Sequence, residues 1–130
     1  MKHQIEAVKK FHEVYKLSYK LAPIANIGKE KINLRFNLMS EENQEYLEAA
    51  INDDIVEVAD ALGDMLYILC GTIIEHGMQH KIEEVFDEIQ KSNLSKLDEK
   101  GQPIYREDGL SLIHISEPTR RYAISYAVFC

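Results

Sequence analysis

Six carboxylates fall in two groups along this chain: Glu41, Glu42 and Glu45 in one segment, then Glu57, Asp60 and Asp64 in the next. Side chains three or four residues apart share a helix face. Glu57 and Asp64 would lie about 20° apart around a helix, with Asp60 about 60° from Glu57. That makes one narrow stripe, which Tyr67 continues. Glu42 and Glu45 share a face in the same way, as do Glu41 and Glu45. Antiparallel packing of two such helices would gather four or five carboxylates. Hard oxygen ligands without His or Cys select magnesium or manganese over zinc or copper.

The same spacing also suits plain solvated charge. Ser40 is a candidate N-cap that would put Glu41 and Glu42 in a first helical turn, where they favour the dipole. The Glu57 stripe could equally be the wet side of an amphipathic helix. Its setting argues otherwise. From Ile55 to Ile74 the acids are surrounded by Val56, Val58, Ala59, Ala61, Leu62, Met65, Leu66, Ile68 and Leu69. A carboxylate is rarely buried unless something pairs it.

The elements that must carry these acids read as all-α. Ile5, Val8, Phe11 or His12, Tyr15 and Tyr19 recur at helical spacing and predict a helix over about 3–20. Pro23 and Gly28 mark a connection. A second helix is expected over about 30–51, with Leu34, Leu38, Tyr46 or Leu47 and Ala50 on its apolar side. Asn52, Asp53 and Asp54 supply caps for a third, which Gly77 ends. A fourth carries Ile82, Val85, Phe86 and Ile89 and gives way near Ser92 and Asn93. Gly63 and Gly71, with Ala59 and Ala61, keep the third helix slim enough for close helix–helix approach.

The chain has 130 residues, room for a single core. A formal charge of -7 argues against a nucleic-acid partner, because phosphate backbones reward basic patches. A polyphosphate remains compatible if metal ions bridge it to the acids. No signal peptide is expected after Met1, and three acids in Ile55–Ile74 argue against a membrane span. A cytoplasmic protein is expected. Cys70 reads as a small core residue, and Cys130 completes no disulfide or metal spacing. His76 and His80 are four apart, but Gly77 between them breaks the helix that a zinc pair would need. His12 reads as packed.

From Leu110 onward helical periodicity is lost. Leu110 to Arg120 is similar to the in-frame translation of a transposase sequencing-library adapter, so residues 110–130 are expected to be an artefact tail behind a domain of residues 1–109.

That domain resembles the MazG-like, all-α nucleoside triphosphate pyrophosphohydrolases, and more narrowly their phosphoribosyl-ATP pyrophosphohydrolase-like branch. The motif EExxE followed by ExxD stands as Glu41-Glu42-Asn43-Gln44-Glu45 and Glu57-Val58-Ala59-Asp60. VEVADALGDMLYILCGTIIEHG at 56–77 and the SNLSKL stretch carry the likeness further. The resemblance implies a four-to-five-helix bundle completed by dimerisation, in a homodimer or tetramer. It implies magnesium, with manganese able to substitute, held by Glu42, Glu45, Glu57 and Asp60. Glu41 would orient or deprotonate the attacking water, and Asp64 would support the ligands. The reaction would take a (d)NTP, dUTP or a non-standard nucleotide among the candidates, to its monophosphate and pyrophosphate.

Substrate contacts are expected from Arg35, one face-sharing step before Glu42, from Asn93 and Lys96 after the fourth helix, and from Tyr67 or Tyr15 by stacking. Lys31 reads as surface charge. The rivals are phosphoribosyl-ATP hydrolysis and a non-enzymatic helical oligomerisation module. A di-iron carboxylate bundle needs Glu-x-x-His pairs, and the chain has none.

Overall fold

The computed structural model describes residues 1–95 and 117–130. Among them are five helices and no strand: α1 (Lys2–Val14), α2 (Lys29–Ile51), α3 (Ile55–Glu75), α4 (Ile82–Leu94) and α5 (Glu117–Phe129). The all-α expectation holds. The chain forms two compact units, Met1–Gln79 and His80–Cys130. The expected boundary at Gly109 lies outside the described residues.

The first unit is built on α2 and α3. A short turn, Asn52 to Asp54, reverses the chain between them and leaves the helices antiparallel. Asp53 takes the left-handed conformation (φ 55°) that aspartate tolerates better than most residues. Asp54 then caps α3, its Oδ1 accepting from the Glu57 amide at 3.1 Å. Ser40 lies inside α2 and not at a helix start, so it caps nothing and Glu41 and Glu42 are not first-turn acids.

The helix α1 packs on α3 through Ile5, Val8 and His12, which recur on one face and are buried. His12 is packed, as expected, with Nδ1 donating to the Val8 carbonyl at 3.1 Å. On α3 the buried residues include Ala61, Cys70, Ile73 and Ile74. Cys70 is a core residue.

Three expectations are corrected. First, α1 stops at Val14 and not near residue 20. Lys16 turns the chain left-handed (φ 58°), and the following segment bonds to the end of α3 instead. There the Lys20 amide donates to Ile74 O and the Ile24 amide to His76 O, each at 3.0 Å. Tyr19, expected on the apolar stripe of α1, instead donates to a Glu13 carboxylate oxygen at 3.0 Å.

Second, the apolar side expected of α2 is not its buried side. Leu34, Tyr46, Leu47 and Ala50 are exposed and only Leu38 of the expected set is half-buried, while Arg35 and Ala49 are buried. One residue is a 100° rotation, and the face turned to α3 is the mixed stripe of Lys31, Arg35, Leu38, Glu42 and Ala49.

Third, residues after Leu110 were expected to lack helical order, yet Glu117–Phe129 is a helix. Its proline stands at the second helical position, where the missing amide hydrogen costs no intrahelical bond. Within the second unit α5 packs on α4. Its small Ala127 is buried.

Gly77 ends α3 as the sequence predicts, with φ 68° and its amide donating to Ile74 O. A Cβ there would collide with the Ala22 carbonyl group. Left-handed strain and a backbone collision therefore coincide. Gly77→Ala is expected to lower stability by at least about 2 kcal/mol, measured by urea unfolding; an unchanged midpoint would show that the 15–28 connection is not held against α3.

Candidate metal and phosphate site

The α2–α3 hairpin brings the two acidic groups face to face. Carboxylate oxygens of Glu42, Glu45 and Asp64 all lie within 4.8 Å of one another. Glu45 also lines an open cleft of about 430 Å³ with Glu48, Ala49 and Asn52 on one side and Asp54, Glu57 and Asp60 on the other. Glu45 thus belongs to both parts. Together they form one acidic strip along the hairpin, reaching Asp54 at the turn.

Glu42 is the strained member. It is half-buried, and its Oε2 is shut away from solvent without a hydrogen-bond partner. Its carboxyl is pushed up from 4.5 to about 7. Loss of water is the main cause, followed by a side-chain contact with Glu45 and by the charges of Glu45, Asp64 and Asp60. A buried carboxylate oxygen with no donor, facing other carboxylates, is what a hard cation's ligand set looks like before the cation is counted. The donors present therefore fit magnesium or manganese.

The family resemblance gives Asp64 only a supporting role behind the ligands. The structure groups it directly with Glu42 and Glu45. Glu57 and Asp60 stand along the neighbouring cleft. Glu41 is exposed on α2.

Arg35 is not presented to this strip. Its Nε donates to Thr72 Oγ1 at 3.0 Å and its Nη2 to the Ile68 carbonyl at 2.8 Å, while Nη1 stands 3.0 Å from Glu75 Oε2. The whole guanidinium is engaged by α3, which does not support a substrate contact. Lys31, read as surface charge, pairs with the buried Glu75 through Oε1 at 2.7 Å and donates to Ser18 Oγ. Glu75 is the residue that sequence reasoning missed. Its signal was available, since it is a lone acid in the apolar end of α3, seven residues beyond Ile68.

Tyr67 and Tyr15 do come together, each against Phe11. Ring centroids are 4.5 Å apart for Phe11–Tyr15 and 5.8 Å for the edge-on Phe11–Tyr67 pair. All three rings keep an exposed part. Phe11 was an unassigned residue, although its spacing of four from Tyr15 made the contact readable. Asn93 lies half-buried in the last turn of α4, and Lys96 lies outside the described residues. His76 Nδ1 donates to the Ile24 carbonyl at 2.8 Å.

An all-helical hairpin presenting opposed carboxylates offers an oxygen-donor set of the class that suits hard cations. Comparison with known families narrows it: the model of the phosphoribosyl-ATP pyrophosphohydrolase family matches residues 8–93, and the chain belongs to that family. The family is part of the MazG-like all-α nucleoside triphosphate pyrophosphohydrolase superfamily. By class the chain is a pyrophosphohydrolase. The match spans both acidic groups and ends in α4. No curated protein matches the chain. Among the described residues no helix is long and apolar enough to cross a membrane.

The raised Glu42 carboxyl gives a pH signature. A carboxyl that holds its proton more tightly when folded stabilises the fold fully below its unfolded value of 4.5, and that contribution is lost as pH rises to about 7. In chelator, the melting temperature is expected to fall over this window, and Glu42→Gln is expected to flatten the fall. A native profile that rises from pH 5 to 7 in chelator, with Glu42→Gln unchanged, would contradict the geometry.

Proposed function

We propose that this chain is a magnesium-dependent nucleotide pyrophosphohydrolase that splits a nucleoside triphosphate into monophosphate and pyrophosphate. The observation that carries the proposal is the orphaned Glu42 oxygen within a three-carboxylate group, on a chain whose family hydrolyses phosphoanhydrides. Glu42, Glu45 and Asp64 would hold one cation, and Glu57 and Asp60 would extend the set along the cleft. When bound, the cation neutralises triphosphate oxygens and lowers the pKa of a bound water.

The chain's own residues do the rest. The fixed hairpin orients the carboxylates, so little reorganisation is needed as charge develops. Glu41, exposed beside Glu42 on α2, would orient the attacking water or take its proton. The strip repels an uncompensated triphosphate, which makes substrate binding depend on the cation. Phe11, Tyr15 and Tyr67 offer aromatic surface on which a base can stack.

The base is the open end of the reading. A second substrate, phosphoribosyl-ATP, is favoured by the description of the matching family. It is itself an ATP bearing a second phosphorylated ribose, so the same carboxylates would act on the same triphosphate. The two readings differ only at the base end.

Large apolar side chains exposed on α2 and α3, among them Phe36, Leu47, Leu62, Leu66 and Leu69, support a homodimer or a tetramer made of dimers. The formal charge of -7 supports a protein without a nucleic-acid partner, and a cytoplasmic setting is part of the same proposal.

The test is pyrophosphate release from each (d)NTP and from phosphoribosyl-ATP, with magnesium, manganese or chelator. Metal-dependent release is expected from at least one substrate, and Glu45→Gln or Asp60→Asn should lower it by at least about 100-fold. No release across the panel would end the enzyme reading in favour of an oligomerisation module. Full activity in both variants would end the site assignment.

A further inference from the structure

We infer that Arg35 is a positioning residue that fixes the axial register of α2 against α3, and so holds Glu42 and Glu45 against Asp64. The inference rests on the carboxylates of the proposed site, but its central claim concerns geometry. Polar contacts run along the hairpin as an antiparallel ladder. Lys31 meets Glu75 at one end, and Glu42 meets Asp64 eleven residues further along each helix. Arg35 stands between these rungs. It reaches Ile68, Thr72 and Glu75, which are spread over two turns of α3.

A planar fork holds its donors in fixed, divergent directions that span these three points, whereas an ammonium is a compact charge without that directionality. Nor is Arg35 needed merely to neutralise Glu75, because Lys31 already stands 2.7 Å from Oε1. What Arg35 adds is the pair of bonds to the Ile68 carbonyl and to Thr72. Ile68 is one turn from Asp64 on α3, and Glu42 is two turns from Arg35 on α2.

The packing leaves room for the fork by removing a side chain. A Cβ on Gly71 would stand 2.6 Å from Arg35 Nη2 and 3.4 Å from His12 Cε1. The fork is thus seated in a notch between α1 and α3. At the other end of the ladder the carboxylates repel one another and favour separation. Slippage by one turn is about 5.4 Å, more than the 4.8 Å within which the three carboxylates gather. A register clamp is the device this arrangement requires.

The test reads register without metal and then with it. In a Cys130→Ser background, with Cys70 left in place because it is buried, Glu42→Cys and Asp64→Cys are combined. The rate of disulfide closure is measured in chelator and a fixed glutathione buffer. Arg35→Met and Arg35→Lys should each slow closure by roughly tenfold or more, because charge alone does not restore the fork. Lys31→Met should leave the rate within about twofold while still lowering the melting temperature. Gly71→Ala, which displaces the guanidinium, and Thr72→Val serve if Arg35→Met does not fold; both should slow closure.

Manganese affinity, read by electron paramagnetic resonance on chains with native carboxylates, should follow the same order. Closure at the native rate in the Arg35 variants, or in Gly71→Ala and Thr72→Val, would overturn the inference. So would equal slowing by Lys31→Met, which would make the effect one of stability. If the native chain binds no manganese, the metal reading fails, and the cysteine rates still decide the register.

Discussion

Opposed carboxylates and a buried ion pair share one helix hairpin, and the rest of the structure depends on how they balance. Near the turn, Glu42, Glu45 and Asp64 face each other at distances where like charges repel. Eleven residues away, Glu75 is buried between Lys31 and Arg35. Buried ion pairs contribute little net stability, but a partner left alone is costly. Their effect is therefore one of specificity: slipped arrangements of α2 on α3 strand a charge. Repulsion near the turn is tolerated because the far end admits one register.

The remaining parts of the first unit reinforce that end. The connection after α1 is bonded to the last turn of α3 through Lys20 and Ile24, and Gln79 Nε2 returns a bond to the Lys20 carbonyl at 2.7 Å. His12 packs beside the Arg35 notch. Burial is concentrated where charge is paired, and the acidic strip is left open. This division suits the proposed function, in which a cation and a polyphosphate enter at one place while the other stays rigid. Glu42 sits where the two demands meet, half-buried and without a donor for Oε2.

Much of the site was legible because acid spacing is a local property. Residues 41, 42 and 45, and residues 57, 60 and 64, declare a shared face whenever their segments are helical. Helix ends at Asp54 and Gly77 were legible for the same reason, since caps act within one turn. What misled was any inference that needed the identity of the opposing surface. Arg35 looked like a phosphate ligand because it shares a face with Glu42. Its partners at Ile68, Thr72 and Glu75 are more than thirty residues away. Leu34 and Leu47 looked like the inward side of α2 because they are apolar, yet they are exposed, and α3 meets that helix through Asp64, Ile68 O, Thr72 and Glu75. No local pattern showed that α1 would stop at Val14, because the bonds that replace its last turn are donated to α3.

By itself the sequence determined that the first unit is helical, where α3 begins and ends, and which acids share a face. Those follow from rotation per residue and capping, both of which are local. Only the tertiary structure decided that Asp64 stands with Glu42 and Glu45, and that Arg35 is consumed by α3. It also decided which stripe of α2 is buried. These depend on the axial offset and relative rotation of two helices, and those are set by long side chains reaching across the hairpin.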